Sequence, residues 1–325
     1  MKKRTIKFQV GEESEGLRLD QFLASRVRWL SRMRIASVLE EGVCEVNGEA
    51  ARAGRKVSAG DAVEVSIDED APATAMTPEP LPLEIVYEGE EFLVLVKHAG
   101  VLVHPTRAVK TGTLANALAF HLNRERLSEI AAEDVGAVGA CAEHSNSQDA
   151  TLNACTVRPG IVHRLDRATS GLMVVAKGQR ALSILSAHFH RRLVEKRYTA
   201  LVHGCVAEDE MVADAPIGRD PGAKPQWGVM DSGKHALTRL RVLRRGAGMS
   251  LVELEPVTGR TNQLRIHCAH FGHPIVGDSW YGSDFNTRLC LHASRLAFHH
   301  PTGGGWLEFE SALPAEISEV MRGHF

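Results

Sequence analysis

The sequence has 325 residues, of which 44% are hydrophobic, and its formal net charge at pH 7 is −2. This length predicts about two domains with hydrophobic cores. Residues 1–60 contain 12 basic and 8 acidic residues, residues 61–160 contain 6 and 16, and residues 161–325 contain 20 and 16. Bulk positive charge is therefore excluded as a basis for binding polyanions, and any basic face must be made by folding.

The cysteines and the hydrophobic runs indicate a cytoplasmic, soluble protein. Six cysteines are scattered along the chain without a Cys-x-x-Cys pair, and a disulfide framework is typical of small secreted chains. The N-terminus begins with three basic residues, Lys2 to Arg4, but no apolar segment of a signal peptide follows. No apolar run approaches the roughly 18 residues of a membrane span.

The first 70 residues predict a small α/β domain. Residues 17–40 have the apolar spacing of two short helices, and Gly42 fits their end. The Asn47-Gly48 pair after a short strand predicts a tight hairpin, because both residues tolerate a positive φ. Residues 63–67 alternate as a closing strand.

The middle of the chain contains two segments without regular structure. Residues 71–82 are acidic and proline-rich, which is typical of a linker, so a second domain is expected at 83–325. Residues 134–157 are small and polar and follow a helix predicted over 113–122. A segment of this length is uncommon in a compact domain, and we interpret it as a flexible insertion rather than a functional lid.

The second domain is expected to be an α+β domain on a mainly antiparallel, mixed sheet. Strands are predicted over residues 84–97, 198–203 and 289–298, and a hairpin over 237–244 and 250–255. Helices are predicted over 179–194 and 261–271. Strands outnumber helices and mostly run as adjacent hairpins, which favours this class.

One short motif in this domain is dense in charged groups. His163-Arg164-Leu165-Asp166 is followed by a Thr-Ser-Gly turn and a second apolar run. Charged groups on turns between paired strands are a frequent way for rigid scaffolds to present chemistry. The motif resembles the HRLDxxTSG signature of the RluA-type pseudouridine synthases. The resemblance covers residues 17–310 and implies a cofactor-free isomerase that converts uridine to pseudouridine in structured RNA.

The resemblance implies three catalytic residues. Asp166 would be the catalytic carboxylate, acting as nucleophile or as base. Arg265, in a segment similar to the family motif GRTHQIRVH, would pair with it, and a neighbouring arginine lowers an Asp pKa by about 1–3 units. Tyr198 would stack on the target base, and its hydroxyl could help to move the proton lost from C5. The histidine of the family motif is Asn262 here.

Four further residues are expected to bind the substrate. Arg164 would fill the stack vacated by the flipped uridine, since guanidinium planes stack well on bases. Lys196, two residues before Tyr198, belongs to the family's Lys-x-Tyr element. Leu291 would supply an apolar wall, with core packing as the other interpretation. Arg260 is a candidate phosphate contact.

The N-terminal domain resembles the small α-L RNA-binding module. Its helical part is rich in arginine, and the candidate RNA contacts there are Arg28, Arg32 and Arg34. The expected partner of the whole chain is RNA, with large-subunit ribosomal RNA favoured over transfer RNA. A monomer is expected, with no membrane partner.

Three other interpretations compete with the isomerase. A kinase is excluded because the chain has no G-x-G-x-x-G loop, and Asp284-Phe285-Asn286 is not Asp-Phe-Gly. The His267-Cys268, His270 and His273 cluster does not match standard zinc spacings, so no metal is expected. An RNA-binding ribosome-assembly factor on the same fold, without catalysis, remains the alternative.

Overall fold

The computed structural model describes residues 3–27, 32–68, 77–106, 108–136, 158–282 and 287–325. The chain divides into two compact units, one formed by residues 1–80 and 119–158, the other by residues 81–118 and 159–325. The predicted domains at 1–70 and 83–325 remain a prediction. Residues 71–76 of the predicted linker and 137–157 of the predicted insertion lie outside the described residues.

The first unit contains a four-stranded antiparallel sheet and two helices. Its strands are β1 (Lys3–Gln9), β2 (Cys44–Val46), β3 (Glu49–Ala50) and β4 (Ala62–Asp68), in the order β1-β4-β2-β3. The helices are α1 (Leu19–Arg26) and α2 (Arg32–Glu40), as the apolar spacing predicted. The β2–β3 hairpin is confirmed, with φ of 57° at Asn47 and 80° at Gly48. Strand β1 was not predicted.

The core of the first unit lies between the helices and the sheet. Phe22 and Leu23 of α1 and Val38 and Leu39 of α2 are at most 2% exposed, and so is Val65 of β4. The apolar positions of both helices thus face the sheet, which is the arrangement that gives two amphipathic helices a common core.

The second unit is built on a large mixed sheet. The strands of this unit, in chain order, are β5 (Glu84–Glu88), β6 (Phe92–Lys97), β7 (Gly160–Ile161), β8 (Ser170–Ala176), β9 (Glu195–His203), β10 (Glu210–Asp214), β11 (Ile217–Arg219), β12 (Trp227–Val229), β13 (Leu237–Arg245), β14 (Met249–Pro256), β15 (Leu291–His299) and β16 (Trp306–Glu310). Strands β11 and β12 pair with each other in a separate two-stranded sheet. Helix α3 (Leu114–Gly136) begins in this unit, and its residues from 119 onward belong to the first unit. The other helices of this unit are α4 (Gln179–His190), α5 (Gln263–His270) and α6 (Ala315–Arg322).

The strand order explains how distant parts of the sequence meet. The main sheet runs β10-β13-β14-β9-β15-β8-β6-β5, with β16 paired to β15 and β7 to β8. The β15–β8 pairing is parallel and the other pairings in this sheet are antiparallel. The α+β class and the mainly antiparallel sheet are therefore confirmed. Because β9 and β8 flank β15, residues near 166, 198 and 291 come from neighbouring strands.

Two helix boundaries differ from the sequence-based prediction. Helix α3 continues to Gly136, so residues 134–136 at the start of the predicted insertion are helical. Its second half is rich in Arg, Leu, Glu and Ala, which favour helix. Helix α4 ends at His190 rather than at residue 194, since Arg192 adopts a left-handed conformation with φ of 59°.

Candidate active site

The second unit contains a cleft of about 770 Å³ at the centre of its sheet. The turn before β8, the start of β9, the β14–α5 connection and α5 form its walls. The cleft brings together the seven residues predicted for catalysis and substrate binding, which are Asp166, Tyr198, Arg265, Arg164, Lys196, Leu291 and Arg260. Their individual roles remain predictions.

Asp166 lies on a tight turn, and the strand that follows this turn, β8, lies close against β15. The amide of Thr169 donates a 3.1 Å hydrogen bond to the Asp166 carbonyl. Gly171 then adopts φ of 126°, and a Cβ at this position would lie 2.4 Å from the backbone N and O of Ala293. Glycine is thus required for β8 to approach β15 so closely, and this approach fixes the turn that carries Asp166.

Lys97 supports the same turn from inside the protein. Its Nζ donates hydrogen bonds to the carbonyls of His98 (2.8 Å), Val101 (3.0 Å) and Arg167 (3.3 Å), and the residue is 1% exposed. Burial, together with the charge of Arg288, lowers the pKa of Lys97 to about 8, while the Asp166 carboxylate opposes this shift. Sequence reasoning missed this residue because it reads as the polar end of a strand.

The Asp166 carboxyl has a raised pKa. Burial is the main cause, and the charge of Asp278 adds to it. The positive charges of Arg265, Arg164 and Lys97 act in the opposite direction without outweighing burial. The sequence-based expectation of a lowered pKa was therefore wrong, because desolvation of the carboxylate is the larger effect.

The expected ion pair between Arg265 and Asp166 was also wrong. Arg265 donates from Nε and from Nη2 to the two carboxylate oxygens of Asp278, both at 2.7 Å. Within the described ranges, Asp166 has no ion pair within 4.0 Å. Asp278 also accepts hydrogen bonds from the backbone amides of Trp280 (3.0 Å) and Tyr281 (3.3 Å). The buried carboxylate of Asp278 is thus hydrogen bonded both to Arg265 and to two backbone amides.

Asn262 and two aromatic rings complete the surroundings of Arg265. The guanidinium carbon lies 5.1 Å from the ring centroids of both Trp280 and Tyr281. Asn262 accepts a 3.4 Å hydrogen bond from Arg265 Nη1 and donates a 3.0 Å bond to the Tyr281 hydroxyl. The amide that replaces the histidine of the family motif thus links the arginine to a tyrosine. Arg265 is held in one orientation as a result.

Tyr198 and Leu291 enter the cleft from adjacent strands. Tyr198 pairs with Leu254 of β14 on one side and with Ala293 of β15 on the other. Burial and the nearby Asp166 charge raise the pKa of the Tyr198 hydroxyl, so the phenol stays neutral at physiological pH. Leu291 is 3% exposed and pairs with Ala200.

Basic side chains predominate among the charged groups that line the cleft. They are Arg164, Arg192, Lys196, Arg239, Arg260 and Arg265, against the three carboxylates Asp166, Glu195 and Glu255. The fold thus assembles a positively charged cleft from a chain of net charge −2. Such local concentration of charge attracts polyanions and is strongest at low salt.

The side chains of the three arginines predicted to bind RNA in the N-terminal module lie outside the described part of the chain. Arg28 lies outside the described residues, as do the side chains of Arg32 and Arg34, whose backbones form part of α2. The neighbouring Arg26 forms a 2.6 Å ion pair with Glu13 and lies over the Phe22 ring.

The histidines considered for metal binding have other partners. Both ring nitrogens of His267 are hydrogen bonded, to Thr238 (2.9 Å) and to the Ala215 carbonyl (3.0 Å). In the described ranges there is no group of three or more His, Cys, Asp or Glu residues that could hold a metal ion. A helix of sufficient length and apolar character to cross a membrane is likewise absent from these ranges.

The sequence and the fold match one class of known proteins. The chain is 38% identical to an RNA pseudouridine synthase of Bacillus subtilis over 320 residues, covering 97% of each chain. It is 34% identical to the ribosomal large subunit pseudouridine synthase D of Nitrosomonas europaea, covering 98% of this chain and 87% of that one. The structure of human RNA pseudouridylate synthase domain containing 1 superposes with a TM-score of 0.53 and 27% identity, covering 75% of this chain and 95% of that one.

The names of these relatives point to one family, and a family model gives the same result. The model described as RNA pseudouridylate synthase matches residues 91–270. The chain belongs to this family of RNA pseudouridine synthases, and it is an isomerase.

Proposed function

We propose that this enzyme isomerises specific uridines of large-subunit ribosomal RNA, with Asp166 as the catalytic carboxylate and without a cofactor. One observation carries the choice of carboxylate. Of the three carboxylates that line the cleft, Glu195 is ion-paired to Arg295 at 3.2 Å and Glu255 to Arg239 at 3.1 Å. Asp166 has no such partner in the described part of the chain and is therefore available to a substrate.

The chemistry requires a carboxylate in a site that excludes water. The bond from ribose C1′ to uracil N1 breaks, a bond from C1′ to C5 forms, and the proton on C5 is lost while N1 gains one. An ionised Asp166 can attack C1′ or accept a proton. The raised pKa makes its carboxylate more basic than that of an exposed aspartate, and the three nearby cations limit this rise.

The other cleft residues have complementary roles in this proposal. Tyr198 stacks on the uracil, and its neutral hydroxyl relays the proton from C5. Leu291 forms the apolar wall beneath the base. Arg164, which is exposed beside the catalytic turn, occupies the gap left by the flipped nucleotide, and extrusion of a base costs a few kcal/mol. Lys196 and Arg260 contact phosphates.

The substrate class follows from the relatives and from the charge of the cleft. A relative 34% identical over almost the whole chain is named as acting on the ribosomal large subunit. Specific recognition of folded RNA depends on shape and on splayed single-stranded bases, which suits a positively charged cleft with an aromatic ring at its floor. Transfer RNA is the second candidate substrate.

The test is release of tritium from RNA that carries the label at C5 of uridine. Joining C1′ to C5 expels the label, whereas RNA binding does not. We expect release by the wild type and loss of turnover by about 10²-fold or more in Asp166→Asn. Glu255→Gln is the matched control, since it removes an ion-paired carboxylate of the same cleft and should retain turnover.

The assay also tests the alternative function. Wild-type protein that binds ribosomal and transfer RNA but releases tritium from neither would favour a non-catalytic ribosome-assembly factor. Asp166→Asn with normal turnover would contradict the assignment of the carboxylate but not the isomerase activity.

A further inference from the structure

The C-terminal end of α4 has an arginine where glycine is usual. Arg192 donates its amide to the Phe189 carbonyl (3.2 Å), and Leu193 donates to the His188 carbonyl (2.9 Å). These two bonds define a Schellman motif, whose left-handed residue is usually glycine because a Cβ is unfavourable there. Arg192 occupies this position with φ of 59°. Left-handed non-glycine residues concentrate at functional sites. We therefore consider a functional role for Arg192.

The side chain of Arg192 lies on the wall of the cleft that contains Asp166. It is exposed, and Lys196 of β9 lines the same wall. Neither residue forms an ion pair within 4.0 Å with a described carboxylate, and the adjacent Glu195 is bound to Arg295. Burial lowers the pKa of Lys196, and the charge of Arg192 lowers it further. The two cations therefore repel each other within the cleft that both line.

Three arginines of strand β13 are each paired with a carboxylate. On β13, Arg239 pairs with Glu255 at 3.1 Å, Arg241 with Glu253 at 2.9 Å and Arg245 with Asp209 at 2.7 Å. Arg192 and Lys196 have no such carboxylate among the described residues, and the same is true of Arg164 and Arg260 in this cleft, so the cleft offers unpaired positive charge to an anion. A phosphate group is such an anion and accepts several hydrogen bonds from arginine and lysine.

We propose that Arg192 and Lys196 together bind one phosphodiester of the RNA strand that enters the cleft. The inference rests on the proposed function, since it requires RNA in this cleft. The contact positions the strand relative to Asp166 and does not read its sequence. It also explains why an arginine persists at a backbone position that favours glycine.

The test is a matched pair of glycine substitutions at adjacent arginines. Arg192→Gly removes the charge and relieves the left-handed strain, so we expect its Tm to rise by about 2–4 °C. Its RNA affinity should fall, and the slope of log K against log salt should decrease in magnitude by about 1. Arg191 has φ of −82° and does not line the cleft. Arg191→Gly should therefore lower the Tm and leave the slope unchanged.

The RNA probes are a large-subunit ribosomal RNA transcript and a single-stranded oligouridylate, which should show the same change in slope. Arg192→Lys keeps the charge and should retain most of the slope. An unchanged slope in Arg192→Gly would overturn the inference. A parallel loss of stability and binding in that variant would also overturn it, since this indicates a structural role.

The binding assay is independent of turnover, so the two proposals can fail separately. Tritium release by the wild type with an unchanged slope in Arg192→Gly would refute the phosphate contact alone. The expected slope change without tritium release from any RNA would refute the proposed function and leave the phosphate contact supported.

Discussion

Arg265 and Asp278 form a buried, bidentate ion pair with two hydrogen bonds of 2.7 Å. The pair joins two charges with opposite effects on the candidate catalytic carboxylate, because Arg265 lowers the Asp166 pKa and Asp278 raises it. Arg265 has the larger of these two effects, so Asp278 offsets it only in part. The Asp166 pKa remains raised by burial, and this gives a basic carboxylate without a permanent partner.

The first prediction concerns Asp278→Asn. Removing this charge frees Arg265 to act on Asp166, so the Asp166 pKa should fall. Activity needs the ionised form, and the acid limb of the pH–rate profile should therefore move to lower pH. Loss of one partner from a buried pair should also destabilise the protein by about 3–5 kcal/mol. Tritium release against pH and thermal unfolding measure the two effects.

Asp209→Asn is the control for that variant. Asp209 pairs with Arg245 at 2.7 Å, but its side chain is 85% exposed, and such surface pairs contribute about 0–1 kcal/mol. It should change neither the profile nor the Tm appreciably. An acid limb that moved to higher pH in Asp278→Asn would contradict the proposed charge balance.

The sequence predicted which residues meet in the cleft. It did not predict which of the charged residues form ion pairs there. The motifs around Asp166, Tyr198 and Arg265 are local, and each fixes a residue type at a known spacing. The Arg265–Asp278 pair and the buried Lys97 depend on which polar groups the fold brings inside. Hydrophobic periodicity treats a lysine at the end of a strand as exposed, whereas Lys97 is held by three carbonyls.

The strands that were predicted and those that were missed differ in a similar way. The predicted strands have a visible local period, whereas the missed strands are short or depend on tertiary contacts. Long alternating runs such as β13 and β14 were predicted because their period is visible over eight or nine residues. Strands β11 and β12 have three residues each, which is too short for a period. Strand β1 alternates over residues 5–10 but follows a basic N-terminus, and its pairing with β4 is a long-range contact.

The second prediction concerns the stability of Asp166→Asn. Burial raises the folded pKa of Asp166 above its ordinary value of 3.8, so its ionised form destabilises the folded protein relative to the unfolded chain. The substitution should therefore raise the Tm at neutral pH while it abolishes turnover. The difference should shrink as the pH falls through the folded pKa toward 3.8, where both states bind the proton.

Thermal unfolding of both proteins at several pH values measures this effect. A lower Tm for Asp166→Asn at neutral pH would show that the carboxylate stabilises the fold, as a structural ion pair does. That result would support the assembly-factor interpretation.

The third prediction separates the ring and the hydroxyl of Tyr198. Its raised pKa keeps the phenol protonated across the physiological range, so it can relay a proton but cannot act as a phenolate base. Tyr198→Phe should lower single-turnover tritium release by about 10²–10⁴-fold and leave RNA affinity within about threefold. Tyr198→Leu should also lose the stacking energy, about 1–3 kcal/mol for one base.

Filter binding and tritium release on the same RNA distinguish the two variants. Full turnover by Tyr198→Phe would exclude the hydroxyl from proton transfer and leave only the stacking role. Equal loss of affinity in both variants would contradict a stacked base.

The last prediction concerns Gly171, where β8 approaches β15. An alanine there would have φ of 126° and its Cβ 2.4 Å from the Ala293 backbone. The strands must separate, and Gly171→Ala should cost at least about 2 kcal/mol. Gly305→Ala is the control, since Gly305 has open space and no positive φ.

Because separation of β8 from β15 also moves the turn carrying Asp166, we expect turnover well below the Tm to fall more than the folded fraction does. Equal decreases in turnover and in folded fraction would mean that the β8–β15 contact stabilises the fold without positioning Asp166.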